Sequence, residues 1–62
     1  MTLIDILNNL EGKEVQIFLK NRDQYLEGIL DEFNEEIITL KTQYTIDYVK
    51  SSEISFIRVK TS

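Results

Sequence analysis

Cysteine, histidine, proline and tryptophan are all absent from this 62-residue chain, and glycine occurs only twice. Without Cys no disulfide forms, and without Cys and His the usual zinc ligand sets are excluded. The same two absences remove thiol nucleophiles, Ser-His-Asp triads, imidazole acid-base catalysis, and Rieske or haem ligation by those side chains. A chain this short has one core, which rarely supplies more than about 3–5 kcal/mol of net stability. With disulfide and zinc staples ruled out, self-association is the remaining route to more buried surface. Basic residues are also scarce, seven against eleven acidic, for a net charge of −4. That balance disfavours non-specific attachment to phosphate backbones or anionic membranes. No run of apolar residues approaches membrane-spanning length, and Met1-Thr2-Leu3-Ile4-Asp5 lacks the basic start of a signal peptide, so a cytoplasmic protein is expected. What remains is an ordinary globular composition, 42% hydrophobic and 29% charged, expected to form a single domain over 1–62.

Leu3, Ile6, Leu7 and Leu10 recur at helical spacing, so residues from Thr2 to about Glu11 are expected to form a short amphipathic helix. Thr2 is placed as its N-cap, Asp5 completes a capping box, and Gly12 suits a left-handed residue after its end. Ile4, off the main stripe, hints at a contact on the outer face. Beyond Gly12 the period becomes two. Val15, Ile17 and Leu19 alternate with Glu14, Gln16, Phe18 and Lys20 as a first strand, and Asn21-Arg22-Asp23 makes a turn. Tyr25–Asp31 reads as the second strand, with Gly28 marking a bend or a close backbone approach. A turn at Asp31–Asn34 leads to a third strand, Ile37–Lys41. A tight Thr42-Gln43 connection leads to a fourth, Tyr44–Val49. A short turn at Ser51–Glu53 precedes a fifth, Ile54–Val59, and Lys60–Ser62 is expected to fray.

One helix followed by five closely connected strands predicts an all-β fold with a single helix, a strongly bent antiparallel sheet forming a small barrel. Strands four and five carry apolar residues on both faces, and an incompletely closed barrel exposes strand edges. Edge-to-edge pairing of those two strands between subunits would cover both, giving a homo-oligomer with Tyr44, Ile46, Tyr48, Ile54 and Phe56 at its interface.

The run Leu26-x-Gly28-x-Leu30-x-x-Phe33-Asn34-x-x-Ile37-x-x-Leu40-Lys41 resembles the first sequence motif of the Sm family, in its bacterial Hfq-like form. Gly12-Lys13-x-Val15-x-Ile17-x-Leu19-Lys20-Asn21 resembles that family's first strand and turn, and the resemblance covers nearly the whole chain. It implies a ring of subunits that holds single-stranded RNA along its pore, without catalysis or cofactor. The implied contacts come from the loops at Glu32–Glu36 and Lys50–Glu53: backbone N–H groups, Asn34, Lys50, Ser51 and Ser52. Three positions depart from the pattern. Asn34 replaces the usual Asp, Glu36 stands where the family stacks bases on an aromatic ring, and Ser51 or Ser52 stands where its His would be.

Asp23, Glu27, Asp31, Glu32, Glu35 and Glu36 fall between Arg22 and Lys41 with no basic residue among them. It reads as a solvated face that aids solubility. Calcium-loop spacing is absent, so no metal site is expected. Adjacent carboxylates on a strand point to opposite faces, which argues against paired acid-base work. A second function therefore stands beside RNA binding: an adaptor of the same fold whose acidic face engages a basic protein partner.

Overall fold

The structure is a computed structural model that describes residues 1–60. Thr61 and Ser62, the last two residues of the expected tail, lie outside the described residues. The elements run α1 (Leu3–Leu10), β1 (Glu14–Leu19), β2 (Tyr25–Phe33), β3 (Ile37–Lys41), β4 (Ile46–Lys50), a 3-10 turn (Ser51–Glu53) and β5 (Ile54–Val59). All neighbouring strands pair antiparallel in one five-stranded sheet of order β4-β3-β2-β1-β5. The two strands next to each other in sequence, β4 and β5, are thus the two outer edges of the sheet.

The helix begins as its sequence dictates. The Thr2 hydroxyl accepts from the Asp5 backbone N–H at 3.3 Å, and the Asp5 carboxylate accepts from the Thr2 N–H at 3.1 Å. Gly12 takes the left-handed conformation, φ 82°, and its N–H donates to the Leu30 carbonyl at 2.8 Å, tying the helix end to β2. Only Leu7 is fully buried on α1, and Ile4 and Leu10 pack beside it against the core. The stripe read from the sequence is therefore rotated. Ile4 faces the sheet, one turn before Leu7, while Leu3 and Ile6 keep 38% and 39% of their surface exposed.

Leu7, Val15, Ile17, Leu30, Ile38, Leu40 and Val49 form the core. The expected alternation holds on β1 and β2, where Val15, Ile17 and Leu30 point inward and Tyr25, Glu27 and Ile29 outward. Gly28 has its predicted role. A Cβ there would stand 3.0 Å from the Lys41 carbonyl oxygen and 3.3 Å from Leu40 Cβ, so β3 would have to give way for β2 to carry a side chain here.

Two boundaries shift by two residues against the periodic reading, and one strand slips in register. β2 runs two residues further, to Phe33, because the pairing slips between Leu30↔Leu40 and Phe33↔Ile38. Thr39 fills the slip: its hydroxyl accepts from the Glu32 N–H at 2.8 Å and donates to the Glu32 carbonyl at 2.6 Å. The third connection is longer than a Thr42-Gln43 turn, since Thr42 Oγ1 accepts from the N–H groups of Tyr44 and Thr45, so β4 starts at Ile46. On β5 a second slip pairs Phe18 with Phe56 but Leu19 with Ile54, leaving Ser55 extra. Ile54 consequently turns inward with Ile57 and Val59, and Phe56 alone of the four faces out.

Lys60 is anchored rather than frayed. Its ammonium lies 2.8 Å from Glu27 Oε2 and 3.3 Å from Glu14 Oε1, and Gln16 Nε2 donates to the same Glu27 oxygen at 2.8 Å.

Candidate nucleic-acid interface

The two loops expected to carry a ligand do meet. The Ser51 N–H donates to the Glu36 carbonyl at 2.8 Å, and the Ser51 hydroxyl donates to the Glu35 carbonyl at 2.7 Å. A cleft of about 260 Å³ runs between them, bordered by Glu35, Glu36, Lys50, Ser51 and Ser52. Asn34 lies at the loop's start, where its Oδ1 accepts from the backbone N–H groups of Glu36 (2.7 Å) and Ile37 (2.9 Å). These bonds use Oδ1 to shape the loop, leaving the amide NH₂ for a ligand. Ser51 is similarly spent as a donor and keeps only acceptor capacity. Lys50 and Ser52 are exposed, and among the described residues neither has a side-chain hydrogen bond or ion pair.

Glu35 and Glu36 flank this cleft, so its charge is mixed rather than basic. Among the described residues, no group of three or more carboxylates converges to hold a metal ion.

Phe18, Tyr25 and Phe56, which the sequence offers singly as base-stacking candidates, come together in a second feature. On the outward face of β1, β2 and β5, Phe18 lies between Tyr25 and Phe56. The Phe18 and Phe56 rings stack at 4.3 Å between centroids and 12° between planes, with Tyr25 tilted 5.0 Å from Phe18. The Arg58 guanidinium sits 5.1 Å from the Phe18 centroid and 5.8 Å from that of Phe56. Phe18 thus packs on the sheet's outer surface. The parity of Phe18 and Tyr25 pointed to this face, but the slip at Ser55 hid the alignment of Phe56 with them. Phe56 lies on the edge strand, and among the described residues no further ring covers its far side.

The candidate interface residues divide. Tyr44 and Tyr48 are 87% and 73% exposed, and Ile46 and Phe56 are about half exposed. Tyr44 belongs to the turn before β4, and Ile54 packs against the core with only its backbone on the edge.

Two ionisable groups on this face are shifted. Hydrogen bonds from Lys60 first and Gln16 second hold the Glu27 carboxyl below the usual Glu range. Lys60 is raised by its bonds to Glu27 and then Glu14.

No protein-family model matches this sequence, and no curated protein matches it. Among solved structures, the chain is similar to the crystal structure of the pleiotropic translational regulator Hfq. The TM-score is 0.85 at 22% sequence identity, over 94% of this chain and 89% of that one. The chain therefore has the Sm-like, Hfq-like fold anticipated from its motif spacing.

Proposed function

We propose that this protein is a non-enzymatic, cytoplasmic, single-domain RNA-binding protein that assembles as a ring of identical subunits. The observation that carries the RNA reading is the aromatic stack Tyr25–Phe18–Phe56 with Arg58 over it, exposed on an otherwise acidic chain. Aromatic rings beside a guanidinium are the surface on which unpaired bases stack, contributing about 1–3 kcal/mol per base. The loop residues Asn34, Lys50, Ser51 and Ser52 provide a second, polar set of contacts, through the Asn34 amide and the Lys50 ammonium above all. The fold's similarity to a translational regulator agrees with an RNA ligand.

Assembly follows from the sheet. The far sides of β4 and β5 expose rows of backbone N–H and C=O groups, and β4 of one subunit pairing with β5 of the next satisfies both. Repeating a head-to-tail contact of this kind closes a ring where the rotation between subunits divides a full turn. Tyr44, Ile46, Tyr48 and Phe56 contribute side chains beside the joint, and Ile54 contributes backbone only.

The non-enzymatic reading rests on the side-chain inventory. His and Cys are absent, and the shifted groups Glu27 and Lys60 are exposed and paired with each other. No observation beyond the charge of the acidic loops favours a basic protein partner.

Fluorescence anisotropy with short U-rich and A-rich RNAs at low and moderate salt tests the proposal. Saturable binding that weakens with salt is expected. Absence of binding at low salt by a well-assembled oligomer would refute RNA as the ligand and return the adaptor reading.

A further inference from the structure

Three of the seven basic residues, far apart in sequence, meet at one place. Lys20 and Arg22 come from the turn between β1 and β2, and Lys50 from the end of β4. Together they border a cleft of about 400 Å³ whose lining includes the half-buried Leu19 and Leu26. Two backbone features build this meeting. The Lys20 N–H donates to the Glu53 carbonyl at 2.8 Å, fixing the turn against the 3-10 segment that follows Lys50. Asn21, between the two cations, adopts a left-handed conformation with φ 60°, which reverses the chain within the turn. The cleft is distinct from the one between the two loops, although Lys50 borders both.

The electrostatics are unusual for this molecule. In a protein of net charge −4, three cations share a wall that holds a single carboxylate, Glu53. Among the described residues none of the three is in an ion pair, whereas Lys60 alone engages two carboxylates. Gathering like charges beside an apolar floor costs repulsion, and low-dielectric surroundings enlarge both that cost and the gain when an anion arrives. Arg and Lys together suit a phosphate group, the guanidinium by its paired donors and the ammonium as a point charge. The volume lies in the range that holds a nucleotide-sized group.

We propose that the Lys20–Arg22–Lys50 cleft binds a phosphate group. Resting on the RNA reading above, that group is a phosphodiester of the bound strand. Lys50 is then a phosphate ligand, shared with two partners on a turn that no motif singled out.

The test uses the full chain carrying Lys20→Gln and Arg22→Gln. Both side chains are exposed and neither makes a hydrogen bond among the described residues, so the fold should persist, which circular dichroism checks. Lys13→Gln with Lys41→Gln is the control: it removes the same charge but borders no part of the cleft. RNA affinity is measured by anisotropy across a salt series. In parallel, inorganic pyrophosphate is titrated while the backbone amides of Lys20, Arg22 and Lys50 are followed by NMR.

The expected result is RNA binding weakened on the order of tenfold by the cleft variant, with the log–log salt slope shallower by about 1. The control should change the slope less, and Glu53→Gln should tighten binding. RNA binding that the cleft and control variants reduce equally overturns the cleft and leaves the RNA reading standing. No RNA binding, with pyrophosphate shifting the three amides in the native protein but not in the cleft variant, overturns the RNA reading and keeps the cleft as a site for free phosphates. Neither RNA binding nor pyrophosphate shifts overturns both.

Discussion

At the residue scale, single positions do work that side-chain type alone announces only in part. Gly28 was legible because a glycine within a strand pattern has few uses, and the 3.0 Å approach of the Lys41 carbonyl supplies the reason. Gly28→Val should unfold or aggregate the protein, since backbone cannot yield cheaply and overpacking costs about 1–3 kcal/mol of a small total. A mutant with an unchanged urea midpoint would refute the steric role. Thr39 was not legible: a threonine in a strand is unremarkable until its hydroxyl is found holding both polar groups of Glu32. Asn34 shows the converse. Its motif position suggested a ligand contact, and half of its amide proves to be loop architecture.

The Glu27–Lys60 contact makes a prediction about pH. Glu27 binds its proton less readily folded than unfolded, so its stabilising effect is complete above the ordinary Glu range and is lost as pH falls through the lowered folded value. Lys60, being raised, contributes below its ordinary value and loses that contribution as pH rises through the raised one. Glu27→Gln should therefore lower the urea midpoint slightly at neutral pH, with the difference closing in acid and shrinking with salt. A difference that persists unchanged at acid pH would mean that the carboxylate's charge is not what holds Lys60.

At the element scale, regular periodicity carried the reading and its interruptions limited it. The capped helix, the β1 alternation, and the β3 and β5 spans followed from spacing and residue type. The reading failed where a side chain or an extra residue breaks the period: Thr39 of β3 opposite the slip in β2, Thr42 before β4, Ser55 in β5. The Ser55 slip had the widest consequence. It turned Ile54 into the core, and it aligned Phe56 with Phe18 and Tyr25. A bulge costs one residue of register and exchanges faces across it, so the parity that groups Ile54 with the outward-facing Phe56 misassigns Ile54. Helix α1 erred differently. With apolar residues at 3, 4, 6, 7 and 10, two overlapping stripes were available, and the sheet selected the one through Ile4 and Leu7. The edge strand β4 also carries a prediction. Tyr48→Lys places a charge beside the proposed joint and should yield smaller species in sedimentation velocity. An unchanged mass would remove Tyr48 from the interface.

At the scale of the whole molecule, the fold was within reach of the sequence because the Sm-like pattern is a pattern of spacing. Gly28 marks the close approach of β2 to β3 and Phe33 packs against the core, and the chain shares its fold with a solved structure at 22% identity. The proposed binding surface was less accessible. It depends on which distant residues the bent sheet brings together, such as Lys20 and Arg22 with Lys50, or Arg58 with the aromatic stack. The net charge of −4 pointed away from nucleic acid, but charge summed over a chain says little about charge at one place. Two open sheet edges and a seven-residue core both indicate that the isolated subunit is an incomplete object. Native mass spectrometry of the protein mixed with a short single-stranded RNA tests assembly and ligand together. The account predicts one closed species, an integer multiple of the 7.3 kDa subunit with RNA bound. A free subunit mass, or an oligomer that leaves the RNA unbound, would contradict it.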